Sequence, residues 1–154
     1  MNRPIDLLRE DLANIGKIIE LYEQGLDEFK DHLRLQGKNI ITASQEQPSW
    51  LSYYDSQRAE LKMVTDYMDS QVQRVRGKLW KDYTENYSRD LQTKDKEQYI
   101  NNEPAYLSML LLHLEVKELY DKYVSIVESF KARGFALNNI SRLISADAVD
   151  YIIS

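Results

Sequence analysis

The stretch IDLLREDLANIGKIIELYEQGLDEFKDHL, residues 5–33, decides the fold. Its apolar residues fall at Ile5, Leu8, Leu12, Ile15, Ile19, Tyr22, Leu26, Phe29 and Leu33, in alternating steps of three and four. On a helix that spacing keeps a narrow seam turned toward a partner. A heptad seam sustained over four repeats predicts a long helix over about residues 4–35, packed as in a coiled coil. Gly16 and Gly25 interrupt it, each costing about 1 kcal/mol relative to alanine, and close helix approach would justify that cost. Gly37 and Lys38-Asn39 read as the end of the segment.

Two more long helices follow the same logic. Over about residues 48–84, Leu61, Val64, Met68, Val72, Val75 and Leu79 continue a three-four seam, with Trp50 and Tyr54 at its entry. Pro48 suits a first turn and Ser49 a cap. The polar run TENYSRDLQTKDKEQ, residues 84–98, then breaks the pattern. A third helix is predicted over about residues 102–133, capped by Asn101 or Asn102. Its seam runs through Tyr106, Met109, His113, Val116, Tyr120, Tyr123, Val127 and Phe130, and Leu107, Leu111, Leu112 and Leu114 make its first half apolar nearly all round. A helix of that kind needs cover on more than one side, within a bundle or at a subunit interface.

The stretch SFKARGFALNNI, residues 129–140, reads as a helix stop. Gly134 tolerates the left-handed conformation, Lys131 and Arg133 suit the negative end of the helix dipole, and Phe135 can fold back on Phe130 or Ile126. Leu137, Ile140, Leu143 and Ile144 then give a short helix over about residues 136–145, followed by the tail DAVDYIIS. The expectation is one all-α domain over residues 1–154, a long-helix bundle with coiled-coil-like seams that forms a ring-like homo-oligomer.

Composition agrees with a helical chain: 43% hydrophobic and 29% charged residues, with only five glycines and three prolines. No cysteine is present, so disulfides and thiolate metal sites are excluded, and the two histidines, His32 and His113, are too far apart in sequence to suggest a metal site. No cofactor is expected. No apolar run approaches the roughly 18 residues of a membrane span, and the N-terminus MNRPIDLLRE lacks a signal-peptide core. The expectation is a soluble cytoplasmic protein without membrane contact. No two glycines lie close enough for a phosphate-binding loop, and acidic groups such as Glu115 with Glu118 read as solvated helix faces. Enzymatic activity is not expected.

The net charge of −5 is unevenly spread. From Val72 to Lys81 the chain carries Arg74, Arg76, Lys78 and Lys81 and no acid. Around the seam, Arg58, Lys62, Arg76 and Trp80 fall on one flank, and Arg74, Lys78 and Lys81 on the other. Cations for phosphates beside an aromatic plane for bases suit single-strand binding without sequence preference. A solvated basic face paired with acids of a neighbouring helix suits the same residues.

The run Lys131, Arg133, Gly134, Phe135, Ala136, Leu137 resembles the end of the last long helix in the UvsY family of T-even-type phage recombination mediators. The element Arg76-Gly77-Lys78-Leu79, followed by Trp80 and Tyr83, resembles that family's cation-small-cation-leucine element, whose cations are implicated in binding single-stranded DNA. The likeness covers roughly the last two-thirds of the chain; the first helix is only generically similar, the chain is more acidic, and its tail is longer. The resemblance implies a ring-forming homo-oligomer, a hexamer or heptamer, in the host bacterial cytoplasm. It would bind single-stranded DNA, remodel a single-strand-binding protein and load a RecA-like phage recombinase. DNA contacts would come from Arg58, Lys62, Arg74, Arg76, Lys78, Trp80 and Lys81. Assembly would use Leu107, Leu111, Phe130, Gly134, Phe135, Leu137 and Ile140. The competing expectation is a coiled-coil adaptor that binds no nucleic acid.

Overall fold

The computed structural model describes residues 2–86 and 91–146. Among them the chain is all-helical: α1 (Pro4–Glu10), a 3-10 turn (Leu12–Asn14), α2 (Ile15–Leu33), α3 (Ile40–Glu85), α4 (Thr93–Asn101) and α5 (Pro104–Ser145). The tail, residues 147–154, lies outside the described residues.

The first predicted helix is divided in two. At Asp11 the backbone is extended, with φ −152° and ψ 118°. The Asp11 carboxylate accepts from Ala13 N at 3.0 Å, and Asn14 Nδ2 donates to Leu7 O at 2.8 Å. Short polar side chains that bond to nearby backbone compete with helix continuation, and here they win. The apolar seam crosses the break nonetheless: Ile5, Leu8, Ile15, Ile19 and Tyr22 are all buried.

The second helix begins eight residues earlier than its sequence suggests, at Ile40 instead of Pro48. Gly37, at φ +76°, supplies the turn after α2. Asn39 then caps α3, its Oδ1 accepting from Ile41 N at 2.9 Å and Thr42 N at 3.3 Å. Pro48 sits inside the helix on its exposed side. It removes one backbone bond, and the helix tolerates this because tertiary packing at Ala43, Tyr54 and beyond holds both sides of it.

The expected stop at Gly134 is absent. Helix α5 runs through it to Ser145, and the expected separate terminal helix is its last turns. Leu137 is buried, so burial continues past Phe130 and outweighs the roughly 1 kcal/mol propensity cost of a helical glycine. The cap of α5 falls to Glu103, with Pro104 in the first turn, while Asn102 closes α4.

Helices α3 and α5 form a long antiparallel pair, with Tyr54 stacked on Phe130 at one end and Tyr83 donating a hydrogen bond to Glu103 at the other. With 46 and 42 residues they span about 69 and 63 Å at 1.5 Å per residue. Helices α1 and α2 cover the first half of α3 and the second half of α5. There Leu8, Ile18, Tyr22, Leu61, Met68, Tyr123 and Phe130 belong to one continuous core. Beyond about Met68 the α3–α5 pair continues without α2, and α4 closes its far end through the fully buried Ile100.

Arg133 is the chief departure from the sequence reading. It is only 4% exposed. Its Nε donates to Leu33 O at 3.1 Å, and its Nη1 donates to Gln47 Oε1 at 2.7 Å and Ala43 O at 3.4 Å. One side chain therefore ties the end of α2, the start of α3 and the middle of α5 together. Burial lowers its pKa, an effect that nearby Glu46 partly opposes.

Candidate nucleic-acid interface

The basic residues of α3 fall into three environments. Arg58 and Lys62 lie over the three-helix region, and both are paired. Arg58 Nε contacts Asp55 at 2.8 Å, and Lys62 Nζ contacts Asp66 at 3.3 Å. The hydrogen bond that Arg58 donates to Asp55 raises the Arg58 pKa. Eighteen residues separate Arg58 from Arg76, about 27 Å along the axis, so the predicted patch is not one cluster.

Arg76 and Trp80 are engaged by the elements that close the far end. Arg76 Nη1 donates to Asn101 Oδ1 at 3.2 Å, and its guanidinium lies 5.6 Å from the Tyr106 ring centre. Trp80 is partly buried, with Lys96 Nζ 5.5 Å from its ring centre. Lys96 also donates to Thr84 Oγ1 at 3.1 Å. Beside them Tyr83 and Tyr99 stack at 5.6 Å, Tyr83 buried and Tyr99 exposed. One face of the indole is thus already occupied by a cation.

Arg74, Lys78 and Lys81 differ. All three are exposed, and none forms an ion pair or hydrogen bond among the described residues. At about 100° per residue they share a sector of about 60°, on the side away from the buried Val72 and Tyr83. The stripe is about 10 Å long at 1.5 Å per residue. Like charges at i,i+3 and i,i+4 repel by a few tenths of a kcal/mol, so an anion laid along them relieves a standing cost.

Sequence reasoning missed α4 and with it Lys94 and Lys96. The segment is polar enough to look like a break, yet Ile100 anchors it in the core and Pro104 marks the next helix start. Acids accompany these cations: Asp82, Glu85, Asp95, Glu97 and Glu103 lie at the same end. The far end therefore carries a basic stripe within mixed charge.

The residues expected to mediate assembly are divided by burial. Phe130 and Leu137 are buried within the chain's own core, and Gly134 faces Gln47, whose Nε2 would sit 3.1 Å from an added Cβ. Ile140 is half-buried. Leu107, Leu111 and Phe135 are exposed, the last at 71%. Leu114, 48% exposed, joins Leu107 and Leu111 in one stripe on α5.

His32 stacks on Trp50 at 3.7 Å with its Nδ1 2.7 Å from Tyr54 Oη, and His113 lies 4.0 Å from Asp69. Among the described residues no group of His, Asp and Glu side chains is placed to hold a metal ion, and no helix is long and apolar enough to cross a membrane. Comparisons with protein-family models, curated proteins and solved structures find no match to this chain.

Proposed function

We propose that the protein binds single-stranded nucleic acid without sequence preference and acts as a recombination mediator in a homo-oligomer. The observation that carries the binding reading is the stripe of Arg74, Lys78 and Lys81, exposed and without an ion pair among the described residues, whereas Asp55 and Asp66 take Arg58 and Lys62. Three cations along about 10 Å of helix match a phosphate backbone, which is read by charge alone. Trp80 lies on the other flank of α3 and already carries Lys96 at 5.5 Å from its ring centre, so the binding reading rests on charge. Arg58 and Lys62 contribute little, because each already has a carboxylate partner. The likeness of Arg76-Gly77-Lys78-Leu79 to the UvsY element extends the reading to loading a RecA-like recombinase onto strands coated by single-strand-binding protein.

The exposed stripe of Leu107, Leu111 and Leu114 supports self-association, since burying it in a second subunit removes apolar surface from water. A ring would repeat the weak basic stripe around one axis and make several contacts with one strand. The same leucines equally suit an adaptor that recruits a different protein and no nucleic acid.

Anisotropy of labelled oligo-dT separates these readings. Arg74→Ala, Lys78→Ala and Lys81→Ala together should abolish most binding at unchanged helicity, while Arg58→Ala with Lys62→Ala should leave it within about twofold. Equal losses from both sets, or none from the triple variant, would remove the stripe as the site. No binding by the unaltered protein would favour the adaptor.

A further inference from the structure

A shallow groove runs along the face where the start of α3 meets the end of α5. Three adjoining hollows make it, of about 450, 540 and 380 Å³. Ser44 is shared by the first and second, and Pro48, Leu51 and Lys131 by the second and third. Ile41 lines it while standing 64% exposed, and Phe135 while 71% exposed. From Ser145 at its mouth to Val127 at its far end, α5 covers about 27 Å at 1.5 Å per residue.

The groove also offers a backbone acceptor. Pro48 lies inside α3 and has no N–H, so Ser44 O lacks the donor that a helix normally supplies four residues on. Both residues line the second hollow. Exposed apolar side chains beside a backbone carbonyl short of its donor suit an extended segment, which brings side chains and N–H groups together.

The chain itself supplies one. Helix α5 ends at Ser145, a lining residue of the first hollow, and the sequence continues after Ala146 as DAVDYIIS, residues 147–154. In an extended chain Val149, Tyr151 and Ile153 share one face, with Asp150 and Ser154 on the other. Eight residues reach about 26 Å at 3.3 Å each, which matches the length of the groove.

We propose that residues 147–154 fold back from the end of α5 and lie along this groove as an extended strap of the same subunit. Val149 then covers Ile41, Tyr151 reaches Phe135, Ile153 reaches Leu51, and a strap N–H serves Ser44 O. Tethering favours this occupant over the tail of a second copy. A segment joined to the mouth of the groove through Ala146 acts at an effective concentration on the order of millimolar, with no second molecule to recruit. The inference is independent of the nucleic-acid reading, and it gives Phe135 to the subunit's own cover instead of to assembly.

Because the chain has no cysteine, one can be introduced alone. A nitroxide on Ser154→Cys in the full ¹⁵N-labelled chain should broaden the amide signals of Leu51, Ser52 and Lys131. In a mixture of spin-carrying chains without ¹⁵N and ¹⁵N chains without the spin label, those amides should stay sharp. Adding Tyr151→Asp and Ile153→Asp to the spin-carrying chain should restore most of the lost intensity at unchanged helicity. Broadening confined to the last turn of α5, or broadening at Leu51 that survives the double substitution, would overturn the proposal. Broadening as strong in the mixture as in the single species would overturn it in favour of a second copy's tail.

Discussion

Substituting Gly25→Ala tests how closely α2 and α5 approach. A Cβ at Gly25 would fall well inside contact distance of the Tyr123 hydroxyl, with no other side chain as near. Tyr123 cannot give way freely. It is fully buried, its ring meets Tyr22 edge-on at 5.6 Å, and its hydroxyl donates to Tyr22 O at 2.8 Å. Overpacking costs about 2 kcal/mol, and loss of the hydrogen bond about 1 kcal/mol more. The better helix propensity of alanine returns about 1 kcal/mol. The net expectation is a destabilisation of about 2 kcal/mol, or a Tm lower by about 4–8 °C for a chain of this size. Gly16→Ala is the control, because a Cβ there meets nothing within 4 Å; it should stabilise by up to about 1 kcal/mol. Thermal unfolding followed by circular dichroism reads both. Tyr123→Phe removes the atom in the way, so adding Gly25→Ala to it should cost nothing further. An additive double variant, or a Gly25→Ala protein as stable as the parent, would refute the close-approach account.

Arg133→Met should lower the urea midpoint by the equivalent of about 2 kcal/mol, because Leu33 O and Gln47 Oε1 lose their donor. Arg133→Lys should do nearly as badly, since one ammonium cannot bridge three acceptors; full stability of either variant would demote the clamp. Burial raises the pKa of Tyr22, Tyr54 and Tyr123, that of Tyr54 to about 12. Folding thus favours their protonated forms, so this stability is complete below pH about 10; the share of Tyr54 is lost as pH rises through about 12, and those of Tyr22 and Tyr123 at higher pH still. Phenolate absorbance should show these three titrating only with unfolding, and early titration of all tyrosines would contradict that. Leu111→Lys should reduce the mass seen by light scattering if the α5 stripe is the subunit contact. An unchanged mass that falls with Phe135→Ser would move the contact to the end of α5.

Helical class was legible because the three-four spacing of Ile5 to Leu33 and of Leu61 to Leu79 encodes period and burial together. Boundaries were less so. In sequence Asn39 has the look of an ending although its side chain begins α3, and Pro48 that of a start because propensity alone cannot weigh the packing around it. Gly134 has the chemistry of a stop, but the buried Leu137 one turn later keeps α5 going. Arg133 illustrates the deeper limit: its acceptors lie 86 to 100 residues away in sequence, so no local pattern announces its burial. For the candidate interface, the cations were visible, but which ones are neutralised depended on Asp55, Asp66 and α4.

The claim that Arg74, Lys78 and Lys81 contact phosphates is tested most directly by the salt dependence of oligo-dT binding. Three phosphate contacts from one subunit give a slope of log K against log salt near −2, at about −0.7 per phosphate. For oligonucleotides spanning one subunit the account predicts that slope, steepening with length as further subunits engage the strand. The variant lacking all three cations should lose the slope at every length. Salt-independent retention, or an unaltered slope in that variant, would contradict the account.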